Sequence, residues 1–257
     1  MARAALAAWL CTLALAAFGG DIPLTERRSG YAQMSRETQA MQDDDMANPG
    51  MLWVADGEAL WNRPSGRSAK ACADCHGDAA TSMKGVAVRY PAVIAAAGRP
   101  LDLEQRINLC RTGHQQAAPF AFESRELLAL TAHLARQSRG LPIEIASDDR
   151  TRSFIEAGRA IFTRRQGQLD IACSQCHDDH WGRRLGGSVI PQAHPTGYPL
   201  YRLEWQGLGS LQRRLRGCMA SLRALPFDYG AVELVDLELF LMWRARGMTW
   251  ESPAVRP

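Results

Sequence analysis

The sequence predicts a mainly α-helical chain made of two tandem domains related by duplication, with an N-terminal extension. Three observations predict it. "CADCH" (Cys72 to His76) returns as "CSQCH" (Cys173 to His177), 101 residues further on. "GEALWNR" (Gly57 to Arg63) returns as "GRAIFTR" (Gly158 to Arg164) at the same spacing. "ELLALTAHLARQSRG" (Glu126 to Gly140) aligns with "ELVDLELFLMWRARG" (Glu233 to Gly247) at a spacing of 107. The second copy therefore carries about six extra residues in its middle, which this alignment puts around "HPTGYPLYRLEWQG". Units of this length are domains rather than turns of a solenoid, and 257 residues leave room for two.

Residues 1–20 carry Arg3, an apolar run from Ala4 to Phe18, and the small pair Gly19 and Gly20. That is the layout of a secretory signal peptide, and the run is too short for a membrane span. Its removal takes Cys11 with it and leaves a mature protein exported to a bacterial periplasm. Residues 21–48, including "QDDDMANPG", read as an extended leader lying on the surface or on a partner. The first domain, 49–140, opens with a helix bearing Ala59, Leu60 and Trp61 at helical spacing and closes with an amphipathic helix. Residues 141–152, polar and interrupted by Pro142, read as the linker. The second domain, 153–257, repeats the plan with Ile155, Ile161 and Phe162 in its opening helix. With 46% hydrophobic and 22% charged residues the composition is that of an ordinary globular protein. The net charge of +3 is small and its basic residues are scattered, which argues against nucleic acid as a partner.

Cys-x-x-Cys-His is the attachment signature of c-type haem. Cys72, Cys75, Cys173 and Cys176 are the thioether-forming cysteines, and His76 and His177 the proximal iron ligands. Each copy thus has the layout of a cytochrome c-like domain, one haem in 49–140 and a second in 153–257.

The sixth ligand determines what a haem does. Met83 stands only seven residues past His76, too near to reach round the ring, and no other methionine occurs before Met219. The candidates left in the first copy are Cys110, His114 and His133. Cys110 has a counterpart in Cys218, whereas the histidines have none; the 107 spacing pairs His133 with Phe240. Arg106 and Arg214 each stand four residues before their cysteine, which puts both on the cysteine's helical face. A Cys110–Cys218 disulfide is the competing reading. Matching positions in a duplicated fold face their own haems, so His/thiolate ligation fits better.

Two Cys-x-x-Cys-His sites, a distal cysteine in each half and the segment "RRLRGCM" resemble the SoxA family, the di-haem subunits of the SoxAX cytochromes of bacterial thiosulfate oxidation. The similarity spans nearly the whole mature chain. It implies an L-cysteine S-thiosulfotransferase in which the sulfur of Cys218, found as a persulfide in that family, ligates the active-site haem. It also implies oxidative coupling of thiosulfate to a cysteine of the SoxYZ carrier, a mono-haem SoxX partner, and cytochrome c as electron acceptor. Thiosulfate is a dianion, and arginines are its natural clamp. Arg214 is the first choice, with Arg216 and Arg213 behind it. Arg106 fits a haem propionate better.

Trp181, Trp205 and Tyr198 read as packing around the second haem, and His180 and His194 as surface residues. The first haem serves electron transfer or structure. The rival function is a di-haem electron-transfer cytochrome without a substrate of its own. A di-haem peroxidase needs an open distal position, which Cys218 argues against.

Overall fold

The computed structural model describes residues 22–257, and the predicted signal peptide over residues 1–20 lies outside them. After two short 3-10 turns comes α1 (Arg36–Asp43), capped by the Ser35 hydroxyl, which accepts from the Thr38 amide at 3.3 Å. α2 (Gly50–Asn62) leads to the first haem-type motif on the short α3 (Ala73–His76), followed by α4 (Ala79–Ser82). A hairpin of β1 (Ala92–Ile94) and β2 (Arg99–Leu101) then runs into α5 (Leu103–Cys110). Asp102 starts α5 with a capping box. Its carboxylate accepts from the Gln105 amide at 2.7 Å, and Gln105 Oε1 accepts from the Asp102 amide at 3.2 Å. A single π turn, Arg111–Gln115, and α6 (Arg125–Arg136) complete the first half.

The second half follows the same order: α7 (Asp149–Thr163), then the motif on α8 (Cys173–His177). A small hairpin of β3 (Arg184–Leu185) and β4 (Ser188–Val189) comes next, and a second of β5 (Leu200–Arg202) and β6 (Gly207–Gly209). α9 (Leu211–Ser221), α10 (Val232–Arg244) and β7 (Val255–Arg256) follow. The strands are short and the fold is mainly α.

Each half is built on one helix pair, α2 with α6 and α7 with α10. α2 buries Val54, Gly57 and Trp61, and α7 buries Ile155, Gly158, Ile161 and Phe162, apolar stripes at helical spacing. Where the pairs cross, only glycine fits. A Cβ on Gly57 would lie 2.1 Å from the Ala129 carbonyl oxygen, and one on Gly158 would lie 2.0 Å from that of Asp236.

The hairpins correct one expectation. Ala92 to Leu200, Arg99 to Gly207 and Cys110 to Cys218 all span 108 residues. The "HPTGYPLYRLEWQG" stretch therefore holds the counterpart of the first hairpin. The added residues lie earlier, in the loop that carries β3 and β4. A further difference is the third strand: β5 pairs antiparallel with β6 and parallel with β7, setting Arg202 opposite Gly207 on one side and Arg256 on the other.

The halves share one apolar interior. Ala87, Val88 and Ala135 of the first pack in a single cluster with Ile161, Phe162, Leu237 and Phe240 of the second. Residues 141–148 are part of that cluster rather than a loose tether. Ile143 and Ile145 are buried; the Ile143 backbone bonds to Met248 and Gly247, and the Glu144 amide donates to the Val88 carbonyl. Residues 22–48 lie along the second half. The Arg28 amide donates to Gln192 Oε1 at 2.6 Å, Ser29 Oγ to Glu251 Oε1 at 2.5 Å, and Asn48 Nδ2 to the Pro253 carbonyl at 2.9 Å. Among the described residues no helix is long and apolar enough to cross a membrane.

Candidate active site

The first motif edges a cavity of about 270 Å³ with apolar walls of Trp61, Val86, Leu103, Ile107, Leu130 and Leu134. Cys72, Cys75 and His76 line one part of it; Arg106 and Cys110 reach it from α5. The Trp61 indole donates to the Gly77 carbonyl at 3.0 Å, and its ring lies 5.7 Å from that of His76. Burial pushes the Cys72 thiol up, against the opposing effects of Gln115 and Arg111. An apolar slot bordered by two thiols and an imidazole, with a further thiol on the facing helix, fits a covalently held haem. His114 borders the same cavity. His133 does not: it is 6% exposed, packs 6.2 Å from Trp61, and has both ring nitrogens unpartnered in the interior. It belongs to the helix crossing beside Gly57.

At the second motif the proximal residue is already oriented. His177 Nδ1 lies 2.7 Å from the Pro191 carbonyl, to which it can donate only as Nδ1–H, leaving Nε2 as the free ligand atom. Burial lowers the His177 pKa, Arg214 and Arg244 add to that, and the ring is held neutral, the form that binds metal. Burial pushes the Cys173 thiol up to about 11, helped by the adjacent Cys218 and Cys176 sulfurs. These donors, with Cys218 close to Cys173, fit a second haem.

Cys218 comes from α9, which begins at Ser210, whose hydroxyl accepts from the Arg213 amide at 3.0 Å. Arg214, one turn before Cys218, lies near enough for its charge to be felt at His177 and Tyr198. The other two arginines of the segment are engaged elsewhere. Arg213 pairs with Glu123 of the first half at 3.8 Å and lies over Trp205 at 4.2 Å. Arg216 donates to the Phe227 carbonyl and lies over Tyr229 at 4.4 Å. Of the three, only Arg214 is brought to the cysteine.

Cys72, Cys75, Cys110, Cys173, Cys176 and Cys218 are all unbridged, so Cys110 and Cys218 do not form the alternative disulfide. His194 is not a surface residue: it is 7% exposed, and its Nδ1 sits 3.0 Å from the Arg28 carbonyl. Trp181 is 44% exposed to solvent. Tyr198 does stand at the site, where Arg214, Arg202 and Cys218 all act on its hydroxyl electrostatically. Arg202 is the residue sequence reasoning passed over. The one signal for it is positional: the 108-residue spacing pairs it with Ile94.

A family model described as the SoxA/TsdA cytochrome c domain matches residues 56–143. The SoxA subunit of the L-cysteine S-thiosulfotransferase of Rhodovulum sulfidophilum is 38% identical over 231 residues, covering 90% of this chain and 80% of the relative. The subunit of that name from Pseudaminobacter salicylatoxidans is 39% identical over 235 residues, covering 91% and 82%. The crystal structure of SoxXA from P. pantotrophus superposes with a TM-score of 0.87 at 29% identity, over 90% of this chain and 87% of that one.

Proposed function

The chain belongs to the SoxA family, cytochrome c subunits of L-cysteine S-thiosulfotransferases, and from that membership we propose that it couples thiosulfate oxidatively to a cysteine of a SoxYZ carrier, with Cys218 as the working sulfur. The observation that carries this reading is on α9, where Cys218 and Arg214 stand one turn apart beside the second Cys-x-x-Cys-His motif.

Two covalent haems would complete the site, one held by Cys72, Cys75, His76 and Cys110, the other by Cys173, Cys176, His177 and Cys218. Bound there, haem supplies a tethered one-electron redox centre that takes electrons from sulfur. The chain's own residues do the rest. Pro191 fixes the His177 ring, and Arg214 draws a sulfur dianion toward Cys218. The terminal sulfur of thiosulfate bonds to the Cys218 sulfur as two electrons leave toward cytochrome c. The carrier's thiolate then attacks that terminal sulfur and forms the new S–S bond. The Cys218 sulfur departs as an anion, and as a persulfide it leaves more readily than a plain thiolate. A SoxX-type mono-haem cytochrome is the partner in this reading, which the likeness to the SoxXA structure supports. The predicted signal peptide supports a periplasmic reaction, and the internal repeat supports reading the mature chain as two duplicated units, 49–140 and 153–257, packed on a common interior.

The test is the mass of the matured protein, intact and by peptide, before and after mild thiol reduction, together with coupling assays. Two covalent haems and reducible extra sulfur on the Cys218 peptide are expected, and Cys218→Ser abolishes coupling while retaining both haems. An unmodified Cys218 after exposure to thiosulfate and partner, with full activity in the serine variant, would leave an electron carrier.

A further inference from the structure

The two halves allow an internal comparison. Features present at both motifs belong to the plan that the two share; a feature present only at the second marks what sets that motif apart. Tyr90, Arg106 and Cys110 recur as Tyr198, Arg214 and Cys218 at the common 108-residue spacing. The pairings recur too: Arg106 acts on the Tyr90 hydroxyl, and Arg214 on that of Tyr198. Arg214 is therefore part of a set that the first half also has. Arg202 is not, because Ile94 stands in its place. The other cation near Tyr90, Arg89, is exposed and comes from a different position.

Arg202 is also placed as an anion-binding residue rather than a solvated one. It ends β5, the middle strand of the three-stranded sheet, held between Gly207 and Arg256. Its side chain is 14% exposed, while its Glu204 partner at 3.2 Å is 65% exposed, a pair that solvent screens. Its Nε is buried with no hydrogen-bond partner. Its guanidinium lies 5.2 Å over the Trp205 ring; burial and the nearby Arg214 act against its charge, while Tyr198, Glu204 and Cys218 act in its favour. Two cations that repel each other beside one sulfur, one with an unsatisfied N–H, form half of a site whose other half is a dianion.

We infer that Arg202 is a substrate-positioning residue of the second site, which with Arg214 holds the sulfonate end of thiosulfate so that its terminal sulfur faces Cys218. This rests on the function proposed above and names the specificity determinant within it.

The test uses the haem-loaded complex carrying Arg202→Ile, which installs the first half's residue on a strand that favours it, with Arg202→Gln and Arg202→Lys beside it. Thiosulfate binding to the oxidised complex is measured by calorimetry, and kcat and KM by coupling to the carrier. Loss of a charge-assisted bond to the anion weakens thiosulfate binding and raises KM roughly tenfold or more in the Ile and Gln variants. kcat stays within about twofold, lysine restores most of the loss, and the haem absorption and electron paramagnetic resonance spectra do not change. Wild-type thiosulfate affinity in Arg202→Ile overturns the inference whatever turnover shows. So does an altered second-haem spectrum with KM unchanged, which would make Arg202 a haem residue. If the wild-type complex binds thiosulfate in an Arg202-dependent way yet couples none to the carrier, the coupling reading fails and the assignment of Arg202 as the anion-holding residue stands.

Discussion

Asp102, Glu104 and Glu238 meet between the halves, around a cavity of about 50 Å³ that also touches Tyr90 and Tyr198. Gln212 donates to Asp102 Oδ2 at 2.7 Å, and its amide lies 3.5 Å from Glu238 Oε2. Burial raises Asp102 to about 6, against the Gln105 and Glu104 amides, Arg99 and Gln212. Glu104 is pushed well above the usual carboxylate range, by burial first and then by Asp102, Glu123 and Glu238. A carboxylate whose folded pKa lies above its unfolded one contributes stability that is complete below the unfolded pKa and is lost as pH rises through the folded one. Glu104→Gln, which copies Gln212 at the matching position of the second half, should therefore stabilise the protein above pH 7. The gain should grow as pH rises from the unfolded pKa through the folded one and vanish near pH 4. Thermal denaturation of both proteins across that range checks it; a gain independent of pH would place its origin in packing instead. At this scale the sequence was most informative where chemistry imposes a fixed spacing. The two motifs and the Arg214–Cys218 spacing stand in the sequence itself. The meaning of Arg202 does not, because it depends on a hairpin alignment that only the backbone reveals. Arg213 and Arg216 meet Glu123 and the Phe227 carbonyl, because adjacent helix positions point in different directions.

Among the elements, the helix crossings are the most exacting. Gly57→Ala and Gly158→Ala each force a methyl group against a backbone carbonyl that has no rotamer in which to retreat. Each should cost roughly 3 kcal/mol or more and lower the melting temperature of the haem-loaded protein. Gly217→Ala on α9 is the contrast, since nothing lies within 4 Å of the added Cβ. It should stabilise by about 0.5–1 kcal/mol. Equal effects at all three sites would mean that the crossings have slack. The helices were legible because α2, α6, α7 and α10 are long enough for a 3.6-residue stripe to repeat. The hairpins were not. Strands of three residues contain too little alternation to read, and the alignment by apolar segments accordingly put the added residues into β5 and β6 instead of before them.

The molecule as a whole behaves as one unit despite its two motifs. Trp250 shows how the halves are joined: its indole donates to the Ala135 carbonyl at 3.1 Å, and its backbone bonds to Gly140 and Leu141. Because the main apolar cluster includes residues of both halves, calorimetry of the haem-loaded protein should give one cooperative unfolding transition with matching calorimetric and van't Hoff enthalpies. Two resolved transitions would show instead that each motif stabilises its own half. The segment 141–152 reads as a linker from its polarity and Pro142, yet two buried isoleucines four and two residues from its polar end make it part of the interior.

The path of residues 22–33 has a consequence in time. Synthesis makes these residues early, but their partners, Ile190, Gln192, His194 and Glu251, follow 157 to 222 residues later. Until then the segment has nothing to lie on. The loop it covers holds Pro191, the residue that receives the His177 N–H. The loop that orients His177 thus stays uncovered until the chain has been made past residue 194, and the first of the described stretches is the one that then lies along it.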